Sequence, residues 1–457
     1  MLRHQPPYQQ STSICYWMLA AFLIVLWFAG GASRADVGGQ AVTRATAWTL
    51  IIIYILGTTH FDWRRVAPVA IFLSITILVV AVQLVPLPPS LWTVLPGRAL
   101  FMKAAEITGQ PLSWRPLSVS PSATMNALHS MVVPMVTLLL AANLTRGQHW
   151  KIVTFVLGLV TAGCLVGVLQ FSGARVDNPL LNDLPNIVSG NFANRNHFAL
   201  FVSIGCLFLP AWVFRDRRDL IRRSMIGALL LIFFVLTIFA TGSRMGTLVA
   251  VIAMALSFMI VRHDAVVVLR SLPRIAAMSI AASVTAAFIS AVALSISLGR
   301  AKSIGRAFEL EVSEDLRARA LPFVLDAISR YFPVGSGFGT FDPIYRILEP
   351  DTLLQPAYFN RAHNDWFELV LDGGILSVAL LAGAILWWLL ASFRCWFAYD
   401  QVLPRLASSI ILLVSVASLT DYPARTPMIM ALLVLAGIWL AGMQNTLKTP
   451  TDATSAK

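Results

Sequence analysis

Residues 361–377, RAHNDWFELVLDGGILS, hold the side chains in this chain best suited to chemistry. His363 is followed by Asn364, and acids stand at Asp365, Glu368 and Asp372. Steps of three and four residues align those acids on one face of a helix. An imidazole is the side chain whose ordinary pKa suits proton removal near neutral pH. Carboxylates following it would fix its tautomer and raise its basicity. Acids at the edge of a bilayer are costly to keep, so the row needs a reason. One is a frayed, solvated helix start capped by Asn364 or Asp365. The other is a reaction centre facing water at a membrane surface.

Other polar clusters stand at predicted helix ends. They are Asn194-Arg195-Asn196-His197, Thr241-Gly242-Ser243-Arg244, the pair Arg317 and Arg319, and Asp421 with Arg425 as a charged pair. A guanidinium has the planar donor array that grips phosphate oxygens; the competing role is snorkelling to lipid headgroups. Arg244 sits in a tight turn that has no need of an arginine, and asparagines flank Arg195. His197 is placed in the helix interior or at its interface. Together these residues suit displacement at a sugar carbon attached to a diphosphate. Arginines would hold the leaving group while a histidine takes the proton of an incoming hydroxyl, with inversion. Fixed cations stabilise phosphate charge electrostatically, so no metal or cofactor is expected. The EVSED acids at 311–315 read as the solvated side of a helix.

The elements that must position these residues are membrane helices. Of 457 residues, 57% are apolar and 12% charged, and the mean hydropathy is +0.75. A soluble domain carries about 25% charged residues. The fold class is therefore all-α, a polytopic helical bundle forming one membrane domain over 1–457. Apolar runs long enough to span place twelve helices near 14–30, 45–60, 67–86, 123–143, 150–171, 196–214, 222–241, 244–262, 275–297, 375–393, 404–421 and 426–444. The first is read as a signal anchor, since its apolar run exceeds a signal-peptide core.

Basic residues set the orientation. The stretch RDRRDLIRR at 215–223 has five arginines against two aspartates, and lies on the same side as the other short basic loops. Both termini are then cytoplasmic, and the long connections 87–122, 172–195 and 298–363 face outward. A net charge of +12 is accounted for by basic loops meeting anionic lipid, without nucleic acid. Loop 87–122 contains LVPLPPSLWTVLPG, a proline-rich re-entry with aromatics suited to the membrane interface. Loop 298–363 begins with an amphipathic segment, EDLRARALPFVLDAISRYF, that fits a helix lying on the outer leaflet. The turn-rich PVGSGFGTFDP ends it. Cys15, Cys164, Cys206 and Cys395 lack metal-ligand spacing and read as packing residues. Transporters place ionisable groups near the bilayer midplane, whereas here they gather at helix ends. This favours chemistry on a membrane-anchored substrate over the alternatives, a lipid-linked glycan flippase or exporter and a silent assembly scaffold.

The chain resembles the O-antigen ligase and polymerase superfamily of bacterial polysaccharide enzymes. The resemblance runs from about Trp92 to Gly437 through GNFANRNHFALF at 190–201, TGSRMG at 241–246 and RYFPVGSGFGTFDPIY at 330–345. It continues in AHNDWFELVLDGG at 362–374 and LTDYPARTP at 419–427. It implies transfer of a glycan from undecaprenyl diphosphate to the hydroxyl of a glycan, lipid or protein acceptor. The reaction would run without metal on the periplasmic face of the bacterial inner membrane. It makes His363 the catalytic residue with Asn364 beside it, and Arg244 and Arg195 the diphosphate ligands. The arginine ahead of PVGSGFG falls on Arg317 or Arg319; Arg319 is taken for the site, with Asn194 and Asp365 as further contacts. Ser377 departs from the ligase pattern, which prefers Gly, Thr or Tyr there.

Overall fold

The computed structural model describes residues 7–57, 63–174, 176, 178–181, 187–271, 317–354, 359–398 and 401–442. The helices in chain order are α1 (Pro7–Ala29), α2 (Gly38–Gly57), α3 (Trp63–Val82), α4 (Pro89–Trp92), α5 (Ala99–Ile107), α6 (Pro121–Ser130), α7 (Val132–Ala142) and α8 (Arg146–Phe171). They continue with α9 (Arg195–Phe214), α10 (Leu220–Thr241), α11 (Arg244–Ser271), α12 (317–331), α13 (Phe341–Leu348), α14 (Asp365–Phe397), α15 (Val402–Ala417) and α16 (Pro427–Ala441). The strands are the two-residue pair β1 (Pro86–Leu87) and β2 (Arg115–Pro116), antiparallel with Leu87 opposite Arg115.

Among the described residues, eight helices are long and apolar enough to cross a membrane: α1, α2, α6 with α7, α8, α9, α10, α11 and α14. Three shorter apolar helices, α3, α15 and α16, complete the bundle. The eight coincide with expected spans, and the three shorter helices lie where spans were expected near 67–86, 404–421 and 426–444; the expected span 275–297 and the EVSED acids lie outside the described residues. The second span starts earlier than its hydropathy suggested, at Gly38, because Gly39 N–H donates to Leu180 and the Gln40 amide to Ala32. Polar ends that pair within the protein extend a helix beyond its apolar run. The chain is a multi-pass membrane protein.

The core is built around α9, which packs against α8, α10, α11 and α15. Phe198, Phe201 and Phe208 are all fully buried on it. α16 packs against α15, α7 and α3. At 1.5 Å per residue α15 and α16 run only about 24 and 22 Å, short of a hydrocarbon core of about 30 Å. The segment between them, 418–426, fills the recess this leaves and carries Asp421 and Arg425.

A second apolar cluster lies apart from the bundle core. Ala320, Val324, Ala327 and Tyr331 form one stripe of α12 and pack with Phe341, Ile344, Tyr345 and Leu371. The amphipathy of this segment is thus met by the protein's own cluster rather than by lipid alone. The PVGSGFG loop that follows clasps a break in α14. Gly374 has φ 55° and ψ −136°, a region open essentially to glycine. A Cβ there would lie 2.0 Å from Pro333 O. Ile375 N–H donates to Pro333 O, Ser336 N–H to Leu371 O, and Gly337 N–H to Asp372 O. The buried Gln83 at the end of α3 joins both: its amide donates to Asp372 O and accepts from Phe338 N–H. The break separates the membrane span, expected from 375, from the short acidic turn 365–373.

Candidate active site

One end of the bundle gathers the heads of α9, α11, α14 and α16 and the tail of α15. Asp421 sits at its centre, almost completely buried. Its carboxylate accepts from both Asn194 Nδ2 (3.0 and 3.2 Å) and Asn196 Nδ2 (2.6 Å), and from the N–H of Tyr422 (3.0 Å). Two imidazoles face the same oxygen. His197 Nε2 lies 3.4 Å and His363 Nδ1 3.5 Å from Asp421 Oδ1. Burial pushes the Asp421 carboxyl up, but the two imidazoles outweigh it and hold the group well below the usual carboxylate range. Asp421 is therefore ionised at neutral pH.

The two histidines differ in access. His197 keeps 2% of its side chain exposed and is bonded through Nδ1 to the Thr426 hydroxyl at 3.0 Å. His363 keeps 17%, between the rings of Phe359 and Tyr422, each with its centroid at 5.0 Å. Burial lowers the His363 pKa from its ordinary value, and Asp421 opposes that shift without cancelling it. The imidazole is thus neutral at pH 7, as a base must be. His363 is also the one non-glycine residue with positive φ, 49°, among the described residues. Such a conformation is held only where surrounding structure imposes it, and such residues cluster at functional sites. The next residue is pinned on both sides: Asn364 caps α14 by accepting from Phe367 N–H (3.1 Å) and donates to Leu419 O (2.8 Å).

The acids at 365, 368 and 372 are turned toward Arg425 rather than toward His363. The Arg425 guanidinium reaches all three, Nε to Asp365 Oδ1 (3.1 Å), Nη1 to Glu368 Oε1 (3.1 Å) and Nη2 to Asp372 Oδ2 (3.2 Å). Arg361 adds a second cation at 2.8 Å from Glu368, whose other oxygen accepts from Ala362 N–H. Asp365 also accepts from Ser418 and Ala424. Burial works against the Arg425 charge, but the carboxylates outweigh it and raise its pKa above the ordinary value. The row is neither a solvated helix start nor the carboxylate partner of His363; it is a buried ion-pair network. Asp421 and Arg425 are not partners of each other. The helix turns its acidic face to Arg425, while the left-handed backbone at His363 directs the imidazole to Asp421.

The other expected residues are placed as follows. Asn194 and Asn364 engage the protein as described, and Asp365 belongs to the Arg425 network. Arg244 is exposed at the first turn of α11, next to Ser243, whose hydroxyl caps that helix by accepting from Gly246 N–H (2.8 Å). Ser243 also donates to Asn196 Oδ1 (2.7 Å). A continuous chain thus runs from the Arg244 turn through Ser243 and Asn196 to Asp421. Arg195 lies over the same turn, its Nη1 3.9 Å from where a Cβ on Gly242 would stand. Of the two loop arginines, Arg317 donates to Thr420 O (3.3 Å), next to Asp421, whereas Arg319 donates to Thr352 O (3.2 Å). Arg317 is the one that faces His363, where its charge helps to lower the imidazole pKa. Among the described residues no group of three or more His, Cys, Asp and Glu is arranged to hold a metal ion.

Residues 228–382 match the family model described as O-Antigen ligase. That stretch is similar to an O-antigen ligase domain. The match supports the O-antigen ligase and polymerase superfamily that the motifs resemble. No curated protein matches the chain. The matched ligase domain contains Arg244, Arg317, Arg361, His363 and the acids of α14. Asn194, Arg195, Asn196 and His197 precede it, and Asp421 and Arg425 follow it. The site is therefore completed by helix ends on both sides of the ligase domain. Sequence reasoning passed over Asp421 as the partner of His363, although its place in LTDYPARTP, alone at the end of an apolar helix, was a usable signal.

Proposed function

We propose that this protein is a bacterial inner-membrane glycosyltransferase. It transfers or polymerises a glycan from undecaprenyl diphosphate onto an acceptor hydroxyl at the periplasmic face. The observation that carries this reading is the pairing of a neutral, accessible His363 with an ionised Asp421 at a helix end lined by arginines. With Nδ1 turned to Asp421, the tautomer that places hydrogen on Nδ1 leaves the Nε2 lone pair to accept a proton. The 3.5 Å separation is longer than a hydrogen bond, as is common before substrate binds. His363 takes the proton of the acceptor hydroxyl, and the oxygen attacks the anomeric carbon. The bond from that carbon to the diphosphate oxygen breaks, and undecaprenyl diphosphate leaves with inversion at the sugar.

Charge on the leaving group needs fixed cations. Arg244 at the head of α11, with Arg195 over the same turn, offers guanidinium donors beside the positive end of a 28-residue helix. Arg317 takes the third place, in preference to Arg319, because it borders Asp421. Asn194, Asn364 and Asp365 act as positioning residues rather than substrate ligands. The test is reconstitution of the purified protein with a polyprenyl-diphosphate-linked glycan and an acceptor oligosaccharide, followed by mass spectrometry. The expected product is an acceptor extended by the donor glycan with release of polyprenyl diphosphate. Donor recovered intact, or moved across the bilayer without a new glycosidic bond, would overturn the reading.

A further inference from the structure

The segment Val85–Trp114, which connects the end of α3 to β2, buries its arginine and leaves a row of large apolar side chains exposed. Its one arginine is held inward. Arg98 is buried, donates to the carbonyls of Leu117 and Pro96, and stacks on Tyr331 of α12 at 5.6 Å. The neighbouring Arg115 lies over Trp92 and Phe101 at 5.5 and 5.8 Å. Trp92 anchors the segment inward, but several other apolar residues point outward: Val94 is 77%, Ile107 75% and Trp114 65% exposed. On α5, Leu100, Ala104 and Ile107 occupy one helical face, and all three are exposed. The exposed charges of the segment are Lys103, which can snorkel, and Glu106. A segment facing water would carry the opposite arrangement.

This face continues one that already meets lipid. Ile71, Ile75, Leu78 and Val82 form a single exposed apolar stripe along α3, and Val85 carries that exposure past the helix end. We propose that Val85–Trp114 is an interfacial membrane element, with its outward face bedded in the leaflet at the site end of the bundle. Amphipathic helices lie in that plane with their apolar side among the acyl chains, and a tryptophan is favoured at its edge. Through Arg98 on Tyr331 and through Gln83 on the break in α14, the bedded segment fixes the height of the loop that carries His363. A donor whose diphosphate lies among the headgroups is met at that height.

Site-directed nitroxide labelling tests this. Cys15, Cys164, Cys206 and Cys395 are all buried, so a thiol reagent labels a cysteine introduced by Val94→Cys, Ile107→Cys or Leu112→Cys in the full-length protein. Leu78→Cys supplies the lipid reference and the exposed Ser329→Cys on α12 the aqueous one. In phosphatidylcholine–phosphatidylglycerol vesicles, power saturation compares access of oxygen with access of a water-soluble nickel chelate. The proposal expects an oxygen-to-nickel ratio at positions 94 and 107 several-fold above that at 329 and close to that at 78. A ratio equal to that at 329 would overturn it. So would low access to both relaxants, which would mean that protein rather than lipid covers the face.

Discussion

Two charged groups share the segment 418–426 and come to opposite ends. Around Arg425, three carboxylates and a second guanidinium close on one another, and every one of the three acids is nearly or fully buried. Around Asp421, the asparagines and a backbone N–H satisfy the carboxylate, but two imidazoles share one oxygen and one of them stays open to the outside. The first arrangement fixes the turn 365–373 against the loop. The second holds the His363 imidazole in an uncommon backbone conformation, with part of its ring open to the outside. A row of acids beside a histidine is thus no guide to which carboxylate faces it; access to the outside separates the two groups.

Breaking the Arg425 network should have the largest effect. Removing one partner of a buried ion pair costs about 3–5 kcal/mol, and Arg425→Leu strips three carboxylates at once. The expected outcome is loss of folded protein from the membrane, read as detergent-solubilised yield and thermal unfolding, with Arg425→Lys partly restoring both. A stable Arg425→Leu protein would show that the network does not hold this end of the fold.

The Asp421 group should respond in the other way. Asp421→Asn keeps the shape but weakens the charged contacts, a loss of about 1.5–3 kcal/mol or roughly one to two orders of magnitude, expected in the rate of transfer more than in stability. It also changes the pH profile. On the proposed mechanism transfer needs neutral His363, so activity should fall as pH drops through the imidazole pKa. That pKa lies below its ordinary 6.5 because of burial, and Asp421 raises it. Removing the carboxylate should therefore move the acid limb to still lower pH. A limb that stays in place, or moves up, would mean that another group titrates.

A smaller contrast sharpens the position of the third arginine. Arg317→Ala should weaken binding of the polyprenyl-diphosphate donor about tenfold, at the lower end of a charged hydrogen bond, while Arg319→Ala leaves it unchanged. Direct binding in nanodiscs at fixed ionic strength decides between them, and the reverse ranking would return Arg319 to the site.

Much of this architecture is legible in the sequence. Hydropathy alone separates the spans, and the expected helix start at 375 falls at the Gly374 break, because a glycine pair interrupts an otherwise apolar run. His363, Arg195 and Arg244 stand out because polar residues at the ends of apolar helices have no packing reason to be there. The pairings among them were not legible. Asp421 meets His363 only because α15 and α16 are short enough to let their connection sink between α9 and α14, and Arg425 meets the acids for the same reason. Helical spacing reports neighbours on one helix; it carries no information about which loop a face is turned toward.

The most direct measurement is single-turnover transfer by His363→Ala and His363→Gln proteins, with thermal unfolding recorded on the same samples. General-base catalysis contributes about 10²–10⁴ in rate, so both variants should lose transfer by that order while unfolding at the wild-type temperature. Failure of the glutamine variant, which can still hydrogen-bond, would assign His363 to proton transfer rather than to positioning. Transfer by His363→Ala at near the wild-type rate would contradict the account.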